Sequence, residues 1–243
     1  MGEKIWEGTK ESEWTEDSFL QGVKSCIPTL LGYLSIGLAA GVVEKTAGLT
    51  IPEILLMSVL IYAGSAQFIA AGMLAAASSP AAIVFTIFFV NLRHLLLSAA
   101  LSPYFRHLTP VKNMLIGMLL TDETFGVAIQ QAARKKQLSE KWMQGLNITA
   151  YINWIAANAA GAYFGKWIAD PEQYGLDFAL PAMFIGLLVL QLLSRGKAAA
   201  DLAVALCSIG LVIGLSYVTS GSFSVILATV IASTLGMAVK KWK

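Results

Sequence analysis

Charge is what this chain has least of: Asp, Glu, Lys and Arg make up only 13% of its 243 residues, against roughly a quarter in soluble domains. The formal net charge of +2 is too small to hold a nucleic-acid backbone. Cysteine is equally sparse. Cys26 and Cys207 each lie inside an apolar run, where a thiol behaves as a small hydrophobe, so neither a disulfide framework nor a metal pair is expected. No His-Glu-x-x-His, Gly-x-Ser-x-Gly or Gly-x-x-x-x-Gly-Lys-Ser/Thr pattern occurs. Zinc proteolysis, serine hydrolysis through Ser65 with His94 or His107, and intrinsic ATP hydrolysis thus have no motif to stand on. The expectation is a non-enzyme without cofactor or metal.

What fills the chain instead is apolar sequence, 56% of it, enough for an all-α polytopic membrane protein. Eight apolar segments can be drawn, at about 25–43, 53–77, 80–101, 112–133, 142–167, 178–193, 202–218 and 223–239. Turn residues separate them, including Ser78-Ser79-Pro80, Thr109-Pro110 and Asp170-Pro171. The acidic stretch 1–18 reads as a cytosolic tail, and 19–243 as one transmembrane domain. With eight crossings, one side collects Lys4, Lys10, Lys24, Arg134, Lys135, Lys136, Lys141, Arg195, Lys197, Lys240, Lys241 and Lys243. The other side holds only Lys45, Arg106, Lys112 and Lys166. The positive-inside rule then places both termini in the cytosol. Seven crossings, made by fusing the last two segments, weaken that asymmetry.

Polar residues inside these runs are expensive and therefore informative. Arg93 sits near the middle of the third, where insertion costs about 2.5–3.5 kcal/mol. Asn91 and His94 share a face there, and Arg93 projects about 100° away from His94. Asp122 and Glu123 are the only acids embedded in a run, and they occupy the middle of the fourth. One of them can pair with Arg93, leaving the other to find a partner or a proton.

The second run carries Gly64, Ser65 and Gln67 at its centre. Either the helix unwinds there, as in transporters that expose backbone groups at the midplane, or it continues and Gln67 bonds a neighbour. In the fifth run Asn147, Tyr151, Trp154 and Asn158 form one face, with Asn153 and Thr149 on a second polar edge. Gly37 with Gly41, Gly161 with Gly165 and Gly210 with Gly214 have the spacing of close helix packing.

A zwitterionic amino acid needs a cation, an anion and an apolar wall. Arg93, Asp122 or Glu123, and Phe68, Phe88, Phe89 and Phe125 can supply them. This predicts a secondary transporter of a small zwitterion with His94, Asp122 or Glu123 handling a proton. A channel, or an assembly subunit in which an Arg-Asp pair merely ties two helices, is the alternative.

Three motifs, Tyr62-Ala63-Gly64-Ser65-Ala66-Gln67-Phe68, Asn91-Leu92-Arg93-His94 and Thr121-Asp122-Glu123-Thr124-Phe125, stand in that order. Together they resemble the AzlC family, large subunits of two-component branched-chain amino acid exporters in bacteria. The resemblance runs from about Phe19 onward and is strongest over 22–160. It implies a multi-pass permease of the bacterial inner membrane that exports valine, leucine, isoleucine or similar amino acids such as methionine. It also implies a partner, a small AzlD-type membrane subunit. On this expectation Arg93, Gln67, Gly64, Ser65, Asn91, Asn153 and Asn158 bind substrate, and Asp122, Glu123 and His94 couple protons.

Overall fold

The computed structural model describes residues 18–168 and 198–219, together with scattered positions between 173 and 236. The acidic tail, most of the sixth apolar segment and about half of the eighth lie outside the described residues. Every regular element among the described residues is helical. The chain divides into two compact units, residues 1–180 and 181–243. In the second unit, α8 (Ala198–Ser216) is an apolar helix, and a Cβ added at Gly210 or Gly214 would meet nothing within 4 Å among the described residues.

The first unit is built on α1 (Phe19–Thr46) and α7 (Glu140–Phe164). Ser18 and Ser139 cap their first turns by accepting from the Gln21 and Trp142 amides. The two helices lie parallel and almost backbone to backbone. A Cβ added at Gly22 would stand 2.0 Å from the Trp142 carbonyl oxygen, one at Gly41 2.2 Å from that of Asn158, and one at Gly161 2.1 Å from that of Leu38. Only glycine permits such an approach, so dispersion acts between main chains along the full length. Here the expected packing role of Gly37, Gly41, Gly161 and Gly165 is observed.

α4 (Pro80–Leu101) is the third long helix, started by the Ser79 cap and Pro80. By length and composition, Phe19–Thr46 and Pro80–Phe105 can each cross a membrane. Between the long helices lie two pairs of short ones, α2 (Ile51–Leu60) with α3 (Gly64–Ala75) and α5 (Pro110–Met118) with α6 (Asp122–Ala132).

Each pair turns back on itself. Lys112 at the start of α5 pairs with Glu140 at the start of α7, and the Leu138 amide bonds the Tyr104 carbonyl at 3.2 Å. The chain before α5 and the chain after α6 are therefore at one end of the bundle. Likewise Gln67, just past the α2–α3 break, bonds both Ser58 on α2 and Glu44 near the end of α1. α3 thus climbs back toward the end from which α2 descended.

This corrects the reading of eight end-to-end segments. The second and fourth are helical hairpins, entering from opposite ends and breaking near mid-depth. Arg106 and Lys112 then join Lys24, Arg134, Lys135, Lys136 and Lys141 at the end where α1 begins. Of the described basic residues in this unit, only Lys45 and Lys166 remain at the other end, apart from mid-depth Arg93.

In a Cys207→Ser background, Ser78→Cys is expected to react with an impermeant maleimide from the same side as Gly48→Cys. Arg106→Cys and Lys136→Cys should both react from the opposite side, whereas eight crossings would split each pair. Gly161→Val should cost about 1–3 kcal/mol or more through overpacking and lower the thermal midpoint of the purified protein. Gly32→Val on the open face of α1 should leave that midpoint nearly unchanged.

Candidate functional site

The two breaks meet beside the middle of α1. At the first, Tyr62 takes a left-handed φ of 43°, a conformation that costs a non-glycine residue about 1–3 kcal/mol. Its ring is held edge-on against Tyr151, with centroids 4.7 Å apart, and the Tyr151 hydroxyl donates to the Val59 carbonyl. Gly64 leaves room for Trp154, whose ring would lie 2.9 Å from an added Cβ. At the second break, Thr121 and Thr124 form a capping box that starts α6, and Thr121 hydrogen-bonds Tyr33 of α1.

Because both hairpins return from mid-depth, α3 and α6 point their N-termini inward. The positive ends of both helix dipoles thus converge there. α6 answers its own with Asp122 and Glu123 in the first turn. α3 has no acid in its first turn and no side-chain cap at Ala63.

Arg93 joins the two hairpins. Its guanidinium lies 2.9 Å from Asp122 Oδ2 and donates to Ser65 Oγ at 2.7 Å. Arg93 and Asp122 expose 24% and 23% of their side chains, so the pair is accessible rather than sealed. Glu123 lies against the hydroxyls of Tyr33 and Thr121 and does not share the ion pair. The structure thereby resolves which of the two acids meets Arg93.

His94 is half-buried beside Arg93 and Asp122, and its Nε2 has no hydrogen-bond partner among the described residues. Asn91 is likewise half-buried, with Oδ1 unpartnered.

Other expected residues stand elsewhere. Asn153 donates to the Leu30 carbonyl and Asn158 to that of Trp154, so both serve helix structure rather than the Arg93 site. Asn147 donates to the Ile116 carbonyl and ties α5 to α7. Gln67 bonds Glu44, Ser58 and Trp154, on a different network from Arg93, and Gly64 packs on Trp154. Of the aromatic wall, Phe68 is buried and Phe88 is 60% exposed on the outer face. Phe89 precedes Arg93 by four residues and Phe125 follows Asp122 by three, positions that share their faces. A cleft of about 340 Å³ between α5 and α7, lined by Leu115, Ile116, Met118, Leu119, Gln144, Asn147 and Ile148, includes neither member of the ion pair.

Tyr33, Thr121 and Glu44 were not singled out from sequence. The Thr121 signal was present as Thr-x-x-Thr ahead of an apolar stretch, while a tyrosine in a run and an acid beside Lys45 carry no visible anomaly.

Comparison with known proteins gives a consistent picture. Residues 28–168 match the family described as AzlC protein. The inner membrane protein YgaZ of Escherichia coli is 30% identical over 177 residues, 71% of this chain and 72% of that protein. The branched-chain amino acid transport protein AzlC of Bacillus subtilis is 29% identical over 172 residues, 70% of this chain and 66% of that protein. An uncharacterized membrane protein of Archaeoglobus fulgidus is 30% identical over 184 residues, 75% and 80% of the two chains. No solved structure matches.

If the Arg93-Asp122 pair ties the hairpins together, Arg93→Gln strands Asp122 and lowers the thermal midpoint. The loss should stay below the about 3–5 kcal/mol of a fully buried pair, because both partners are partly exposed. Adding Asp122→Asn should recover part of it, read as a non-additive double-mutant cycle on the purified protein.

Proposed function

Because the chain belongs to the AzlC family, we propose that it is a multi-pass permease of the bacterial inner membrane that exports branched-chain amino acids. Valine, leucine and isoleucine are the expected cargo, with methionine by similarity of shape. A small AzlD-type subunit is its proposed partner, and the proton gradient its energy source. The observation that carries this reading is the accessible Arg93-Asp122 pair, set where two helix N-termini meet at mid-depth.

An amino acid entering this place can divide the pair. Its carboxylate takes the planar fork of Arg93 and the uncapped amides at the start of α3, both of which favour an anion. Its ammonium takes the Asp122 carboxylate so released, with Glu123 one residue away. Phe89 and Phe125 lie one helical turn from the two charges and offer apolar contact to an aliphatic side chain. Each pole of the substrate thus replaces one partner of the resting pair, and no charge is left bare at either stage. Asn91 and His94, half-buried on the Arg93 helix with atoms unpartnered among the described residues, complete the proposed polar lining, and His94, Asp122 and Glu123 are the groups proposed to exchange protons with the gradient.

The outer face of α4 supports the membrane setting. Val84, Phe85, Phe88, Leu92 and Leu95 are exposed at helical spacing, an apolar stripe suited to lipid. The concentration of basic residues at the α1 start fits a cytosolic amino terminus. A cytosolic carboxyl terminus is proposed with it, on Lys240, Lys241 and Lys243 in the sequence.

The test is release of amino acids from dipeptide-loaded cells expressing the chain with its small partner. Hydrogen bonds to a charged group are worth about 1.5–3 kcal/mol, so Arg93→Gln should slow branched-chain release about 10- to 100-fold at equal expression. Unchanged release would favour an assembly subunit whose ion pair only joins α4 to α6.

A further inference from the structure

A second polar cluster occupies the same α3 turn as the Arg93 contact. It comprises Glu44 on α1, Ser58 on α2, Gln67 on α3 and Trp154 on α7. Glu44, Ser58 and Gln67 have no exposed surface, and Trp154 is 4% exposed.

The hydrogen bonds leave little freedom in how these groups are arranged. An indole nitrogen can only donate, and Trp154 Nε1 donates to Gln67 Oε1 at 2.7 Å. That contact fixes the amide, so Gln67 Nε2 faces the opposite way. It donates to Glu44 Oε1 at 2.9 Å and to Ser58 Oγ at 3.2 Å, while the Ser58 hydroxyl donates to the Ile54 carbonyl. The remaining oxygen, Glu44 Oε2, is buried without a hydrogen-bond partner among the described residues. With amide hydrogens occupying the place where a metal ion would need oxygen ligands, the cluster is unsuited to a metal cation.

No counter-charge reaches Glu44 among the described residues. On its own helix, Lys45 Nζ is turned to the Leu49 carbonyl, and Tyr33 bonds Thr121. α2 offers Glu53, which is exposed and bonded to Thr50. α3 carries no titratable side chain. α7 offers Tyr151, bonded to the Val59 carbonyl, and beyond it Lys166 lies over the Tyr163 ring. On α6, Asp122 is paired with Arg93 and Glu123 lies against Tyr33. An ionised carboxylate in this position would have given up its water and received one amide in exchange, whereas a protonated carboxyl carries no charge to compensate.

We propose that Glu44 is a proton-binding site, loaded in this state and coupled to the Arg93 site through the turn Gly64–Gln67. Ser65 and Gln67 are two residues apart on that turn. One holds the guanidinium and the other holds the carboxyl, so a shift of the turn that frees Ser65 also moves the amide off Glu44. Water admitted there accepts the proton from Oε2, and the carboxylate that remains is solvated. The coupling half of this proposal rests on the transport reading above; the protonation half does not.

Two measurements on the full chain in lipid separate them. Infrared spectra at neutral pH should contain a protonated-carboxyl stretch that is lost in the isosteric Glu44→Gln variant. An unchanged carboxyl band in that variant overturns the loaded proton. In leucine-loaded liposomes that hold the chain together with its small partner, Glu44→Gln should keep substrate-for-substrate exchange yet lose the extra accumulation produced by an imposed pH gradient. Glu44→Asp, which keeps an ionisable group, should retain part of that accumulation. Full gradient-driven accumulation in Glu44→Gln overturns the coupling while leaving the transport reading intact. Wild-type liposomes that carry no amino acid would sink the transport reading and the coupling with it, and the infrared result would still decide the proton.

Discussion

The main-chain contact between α1 and α7 is the constraint from which the rest of the first unit hangs. With Cβ positions of Gly22, Gly41, Gly145 and Gly161 falling about 2 Å from carbonyl oxygens of the facing helix, neither rod can rotate or slide without a clash. That rigidity fixes Tyr33 on one helix and Tyr151 and Trp154 on the other at a common depth. Those three side chains are what the breaks lean on: Tyr151 and Trp154 flank the first, and Tyr33 meets the second. An unwound backbone at mid-depth is costly unless protein surrounds it, and here the α1–α7 pair does so.

From that scaffold the electrostatics follow without further invention. Two hairpins entering from opposite ends place two helix N-termini face to face, which alone would concentrate positive potential. Asp122 and Glu123 offset one of them locally. Arg93 then adds a full positive charge, and Asp122 is shared between its own helix terminus and the guanidinium. A single carboxylate, that of Asp122, thus serves two positive groups at once. A carboxylate shared in this way suits the exchange of one anion for another, and on the transport reading proposed above a substrate carboxylate would relieve the sharing while its ammonium takes up Asp122.

Much of the chemistry was legible in the sequence because a charge in an apolar run is an anomaly. Arg93 and Asp122 stood out for that reason, and they do meet. For Gln67 both readings offered by the sequence are realised at once: the helix breaks just before it, and its amide is fully bonded to neighbours. The number of crossings was not legible. Hydropathy counts apolar residues, and α2 with α3 have the same composition whether they form one rod or a folded pair. The signal for the second break was the Thr121-to-Thr124 cap, which placed Asp122 and Glu123 at a helix start rather than at a helix centre. For the first break there was less to read, since Tyr62 adopts its left-handed backbone against residue preference and is kept there by Tyr151. Glu44 was hidden by its neighbour. Beside Lys45 at the end of a run it reads as a wetted boundary, and only the return of α3 covers it.

Gln67 and Ser65 turn a packing detail into a link between the Arg93 guanidinium and the Glu44 carboxyl. A turn of helix is stiff, so its side chains move as a set, and the α3 turn carries one bond to Arg93 and another to Glu44. Loosening either bond alone would leave the other strained or a buried polar group unsatisfied, and the low-energy arrangements are those in which both are made or both are released. Two discrete states of that kind are the physical minimum for coupling between sites. The opposed entry of the hairpins adds a geometric counterpart: the α3 turn is reached from one end of the bundle and the α6 turn, with Asp122, from the other. Arg93 stands between them, so movement of the guanidinium toward one hairpin is movement away from the other.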